Sequence, residues 1–124
     1  MNDTTSVAKR LVEMCRQGQF EEALTELYGS NVVSIEPDGI PNNKVEGIDA
    51  VVAKSKEWVE NTEEIFGMEV SDPIVADDHF AITMKVDVKQ KGMPRMKMEE
   101  VCVYKVENGK VTSEQFHYSM PPMD

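Results

Sequence analysis

A chain of 124 residues with 40% hydrophobic and 29% charged side chains has the size and balance of one globular domain spanning 1–124, and excludes intrinsic disorder. The net charge of −10 argues against nucleic acid and anionic membranes as partners, since both are bound through Lys and Arg. Two distant cysteines, no basic or apolar leader and no long apolar run predict a cytoplasmic protein without a disulfide framework or a membrane span.

The first helix is predicted from Ser6, as N-cap, to Gly18, with Ala8, Leu11, Val12 and Cys15 on its apolar stripe. A second follows at once: Phe20, Ala23, Leu24, Leu27 and Tyr28 keep the helical period, Glu21 and Glu22 suit its first turn, and Gly29 is expected to end it. The two form a helical hairpin. A short strand, Val32 to Glu36, stops at Pro37 and opens into a loop through Asn43. The third helix is predicted from Gly47 to Asn61, with Ile48, Val51, Val52, Ser55, Trp58 and Val59 on one side.

After Thr62 the period changes to two. Strands are predicted over Ile65 to Val75, Phe80 to Lys89, Arg95 to Val106 and Lys110 to Tyr118, with turns at Asp77-Asp78, Lys91 to Pro94 and Asn108-Gly109. Met120 to Asp124 reads as a tail outside the sheet. The fold class is therefore α+β: a curved antiparallel sheet forming a cone, closed by three N-terminal helices.

The alternation of the later strands separates two faces. Phe80, Ile82, Met84, Val86 and Val88 point one way; on the next strand Met96, Met98, Glu100, Cys102, Tyr104 and Val106 share a face that is apolar except for Glu100. A carboxyl buried there would have a raised pKa and a functional or paired role; the plainer alternative is a strand end that lets it reach water. On the other face Val101 and Val103 form a patch that fits contact with a second copy, hence a homodimer, or stand simply as scattered surface valines.

The last hairpin has two possible registers. A two-residue Asn108-Gly109 turn sets Glu107 opposite Lys110 and Glu100 opposite His117, a proton-transfer pair. A three-residue loop sets Glu100 opposite Phe116, Glu114 opposite Cys102 and Tyr118 opposite Met98. Glu36, ending the first strand at a loop mouth, is a candidate general base or a surface acid at a strand end. No metal-ligand spacing, phosphate loop or serine elbow occurs, so no cofactor is expected.

Two helices, a strand ending in an acid before Pro37, then Val45-Glu46-Gly47-Ile48-Asp49-Ala50 opening a helix, then strands closing with Val103 to Val111 and Glu114-Gln115-Phe116: this order resembles the SnoaL-like branch of the nuclear transport factor 2 (ketosteroid isomerase-like) superfamily. The resemblance spans nearly the whole chain. It implies a cone-shaped pocket, usually in a homodimer, and places Glu36 where the steroid isomerases carry their catalytic acid. Leu11 stands where those enzymes have an oxyanion-hole tyrosine. Their second oxyanion acid falls near Cys102, two residues from Glu100, and the acid of the polyketide cyclases falls near Phe116 or His117. The expectation is a pocket protein for a small apolar organic ligand, acting as a cofactor-free isomerase, cyclase or dehydratase through Glu36, Glu100 and His117. Trp58, Met84, Met98, Cys102, Tyr104, Phe116 and Tyr118 would form the ligand wall. The alternative is a non-catalytic ligand-binding or dimerisation module.

Overall fold

The computed structural model describes residues 3–40 and 42–119. Helix α1 (Asp3–Arg16) starts one turn before Ser6, because Thr4 is buried and extends the stripe Val7, Ala8, Leu11, Val12, Cys15 backward by one step, while Asp3 sits in the favourable first turn. Helix α2 (Phe20–Leu27) ends at Tyr28, not Gly29, because Tyr28 is already extended and paired. Helix α3 runs Ile48–Glu60. Its entry is fixed by Gly47, whose φ of 91° suits a residue without Cβ and whose N–H donates to the Val32 carbonyl at 2.8 Å.

The strands are β1 (Tyr28–Ile35), β2 (Lys44–Glu46), β3 (Thr62–Val70), β4 (Ile74–Ala76), β5 (His79–Gln90), β6 (Met96–Glu107) and β7 (Lys110–His117). The expected single strand through Val75 is two, since Asp72-Pro73 interrupts the ladder and Pro73 has no N–H to give. The sheet order is β2-β1-β7-β6-β5-β3, with β4 on β5. From β3 through β5, β6 and β7 the pairing is antiparallel, as expected, but β1 pairs β7 in parallel, so the open, curved sheet is mixed and not purely antiparallel. Residues 120–124 of the predicted tail lie outside the described residues.

The core lies between the concave face and the helices. Phe80 and Tyr104 stack at 4.7 Å, with Ile82, Cys102 and Val111 fully enclosed beside them. The α3 side is less completely filled: of that helix only Val51 is buried.

The last hairpin takes a third register. Asn108 and Gly109 both have positive φ, 52° and 76°, the two-residue turn that sets Glu107 opposite Lys110. One extra residue then bulges at Thr112, so that Lys105 meets Ser113, Tyr104 meets Glu114 and Cys102 meets Phe116. The shift restores the facing of the three-residue-loop alternative with the turn of the other. Glu114, Phe116 and Tyr118 join the concave side, and His117, opposite Val101, is turned to the outside.

Candidate active site

A cavity of about 230 Å³ opens between α3 and the strands β5, β6 and β7. Its walls are apolar: Leu11 and Leu24 from the hairpin, Val51 and Trp58 from α3, Met68, Met84, Val86 and Met98 from the sheet, and Phe116 near the end of β7. A volume of this order suits a molecule of one or two rings. Of the expected wall, Trp58, Met84, Met98, Tyr104, Phe116 and Tyr118 face this space. Cys102 does not: it is fully enclosed behind the wall, its Sγ 3.7 Å from Glu100 Oε1. His117 is exposed on the opposite face and is not paired with Glu100, because the Thr112 bulge turned it away.

Both predicted acids reach the cavity. Glu100 projects from β6 opposite Met84 of β5, as the alternation required. Burial pushes its carboxyl up to about 7, the nearby Glu36 charge adds to the rise, and the Cys102 thiol and Lys54 ammonium oppose it. Glu36 follows the last residue of β1 and is held by the returning loop, its N–H donating to the Asn43 carbonyl at 2.6 Å. Its Oε1 lies 3.0 Å from Lys54 Nζ, while Oε2 is enclosed with no hydrogen-bond partner among the described residues. The Tyr118 hydroxyl is the neighbouring group; burial, then the Glu36 charge, raise its pKa and keep it protonated.

Beneath these lies a polar chain that the sequence reading did not assemble. Lys54 Nζ donates to Ser34 Oγ at 2.8 Å, and Ser34 in turn donates to Glu114 Oε2 at 2.7 Å. The Tyr28 hydroxyl donates to the other oxygen of Glu114. Glu114 is almost wholly buried, which raises its pKa, and both hydrogen bonds work against that rise. A signal for Lys54 was present: it stands three residues after Val51 and four before Trp58, on the inward stripe of α3. One of the two hairpin registers already set Glu114 on the concave face, but its meeting with Ser34 carried no signal, since it depends on the parallel β1–β7 pair, where they are direct partners.

A concave mixed sheet, three closing helices and an apolar cavity with acids at its floor define the nuclear transport factor 2-like class of α+β cones. Within it, residues 2–118 match the SnoaL-like domain model, and the chain belongs to the SnoaL-like family. Among solved structures it is 36% identical to a Mesorhizobium loti protein named both a SnoaL-like polyketide cyclase and a carbohydrate phosphatase, with a TM-score of 0.87 over 91% of this chain and 97% of that one. A cystatin-like-fold protein of unknown function from Xanthomonas campestris is 20% identical, with a TM-score of 0.80 over 97% of this chain and 92% of the other. An NTF2-like protein of unknown function from Burkholderia pseudomallei is 15% identical, with a TM-score of 0.79 over 96% and 92% of the two chains. These last two share the fold. No curated protein matches the sequence. Among the described residues no helix is long and apolar enough to cross a membrane, and no group of three or more His, Cys, Asp or Glu could hold a metal ion.

Proposed function

We propose that the cavity binds a small, largely apolar organic molecule and moves a proton on it without a cofactor, in an isomerisation, cyclisation or dehydration. The observation that carries this reading is the pairing of two unlike carboxyls in one apolar space. Glu36 is ion-paired with Lys54 and serves as the base; Glu100, with no cation at salt-bridge distance among the described residues and its pKa raised to about 7, serves as the acid. Two acids whose surroundings differ in this way divide the roles between them. The polyketide cyclase name of the Mesorhizobium loti relative fits the same chemistry. His117 has no part in it. The proposed assembly is a homodimer through the outer sheet face.

Deuterium exchange at the α-carbon of simple aryl ketones in D2O, followed by proton NMR, tests the reading without a known substrate. Exchange is expected to exceed the buffer rate, and Glu36→Gln is expected to reduce the excess by about a hundredfold or more. Exchange at the buffer rate across a panel of one- and two-ring ketones would leave a binding or dimerisation module in its place.

A further inference from the structure

We infer that Lys54 is a catalytic residue of this cavity, its ammonium receiving the substrate's carbonyl oxygen while Glu36 takes the proton from the adjoining carbon. The inference deepens the proton-transfer reading and rests on it.

Among the described residues lining the cavity, Lys54 carries the one fixed positive charge. An ammonium has three donors. One is donated to Ser34 Oγ at 2.8 Å; Glu36 Oε1 lies 3.0 Å away as an ion pair, and Nζ makes no other hydrogen bond among the described residues; it lies 5.2 Å from the centre of the Phe116 ring, itself part of the cavity wall.

The separation of base and ammonium matches the fragment they would serve. In a ketone whose α C–H bond stands perpendicular to the carbonyl plane, as enolisation requires, the hydrogen and the oxygen are roughly 3 Å apart by ordinary bond lengths. A carboxylate and an ammonium 3.0 Å apart therefore meet the hydrogen and the oxygen of one H–C–C=O unit together. In the step, Glu36 accepts the proton, the C–H electron pair becomes the carbon–carbon double bond, and the carbonyl π pair moves onto oxygen. The enolate oxygen then lies against Lys54 Nζ. Return of the proton from Glu36 to carbon restores both groups.

Ser34 and Glu114 explain why Lys54 stays in place when Glu36 is neutralised. Through the Ser34 hydroxyl the ammonium stays linked to the Glu114 carboxyl group, which Tyr28 fixes from the other side. Donors preset toward developing charge in a water-poor site are worth far more than in solution. Glu100 is left free to protonate another part of the molecule, which suits cyclisation and dehydration.

Phenols that absorb differently when ionised, such as nitrophenols, imitate the enolate and report on Lys54 without turnover. Glu36→Gln imitates the base after it has taken the proton. In that variant the bound phenol is expected to ionise about one pH unit lower than in water, and the double variant Glu36→Gln/Lys54→Met to lose that shift with about a tenfold loss of phenolate affinity. Glu36→Gln/Lys54→Arg is expected to keep most of it. Near-ultraviolet circular dichroism checks folding, and Lys54→Gln stands in where Lys54→Met does not fold.

Unchanged phenolate binding in the Lys54→Met or Lys54→Gln protein would overturn the assignment while leaving the cavity a ligand site. Phenol binding to none of the variants, or to wild type, would overturn the ligand reading and this inference together. Lys54-dependent binding without ketone exchange in wild type would leave an anion contact and overturn the catalytic role.

Discussion

Glu100 is one carboxyl on a face otherwise built of Met98, Cys102 and Tyr104, and its cost can be measured directly. In the unfolded chain it releases its proton near its ordinary 4.5; in the fold it holds the proton to about 7. Between those values the folded state binds the extra proton, so stability is present below the window and declines as pH rises through it. The loss amounts to roughly 3 kcal/mol at pH 8 from this group alone. Glu114, its pKa also raised by burial, adds a slope of the same sign. Glu100→Gln removes only the first part. The variant should gain on wild type from pH 5 to about pH 7 in urea-unfolding free energy and level off above it; parallel curves would mean that Glu100 is hydrated. The strand's period of two made this position readable in advance, because every neighbour on the same face was apolar. Lys54 was harder to see, since a lysine on a helix is ordinarily solvated and only its spacing from Val51 and Trp58 set it inward.

At the level of elements, local signals and distant ones parted company. The Asn108-Gly109 turn was legible because few residues accept positive φ twice in succession. The Thr112 bulge left no mark in composition, yet it decides that Glu114 and Phe116 face the cavity and His117 does not. The parallel pairing of β1 with β7 joins segments some eighty residues apart, and nothing local to either strand announces it. The turn and the bulge act in series, so the turn's stability should be separable from the site. Asn108→Val forces a β-branched residue into the left-handed region and should cost about 1–2 kcal/mol in chemical unfolding. The carbonyl chemistry should persist, since the bulge re-sets the register beyond the turn. Loss of ketone exchange in a fully folded Asn108→Val protein would mean that the turn, not the bulge, aims Glu114.

The whole molecule bears a net charge of −10, which opposes the approach of a second copy over most of its surface. The outer sheet face is the exception. There Lys85, Lys97 and Lys105 alternate with Asp87, Glu99 and Glu107, and Val101 stands 43% exposed among them beside Val103 and Thr83. Ile74, 76% exposed, prolongs the row through Ala81 and Val103. A face of mixed sign with an apolar centre can pair with itself about a two-fold axis, as the proposed homodimer requires. The arrangement bears on the site, because Val101 and Val103 alternate with Glu100, Cys102 and Tyr104 on the same strand. Pinning the outer row against a partner would stiffen the strand that carries the acid. Val101→Glu places a like charge on both sides of the two-fold and should move the protein in sedimentation velocity from twice the 14.0 kDa chain mass to the chain mass. Glu13→Gln, on the far side of α1, should sediment as wild type. A Val101→Glu protein that stays dimeric would place the contact elsewhere and remove the partner from any role in steadying Glu100.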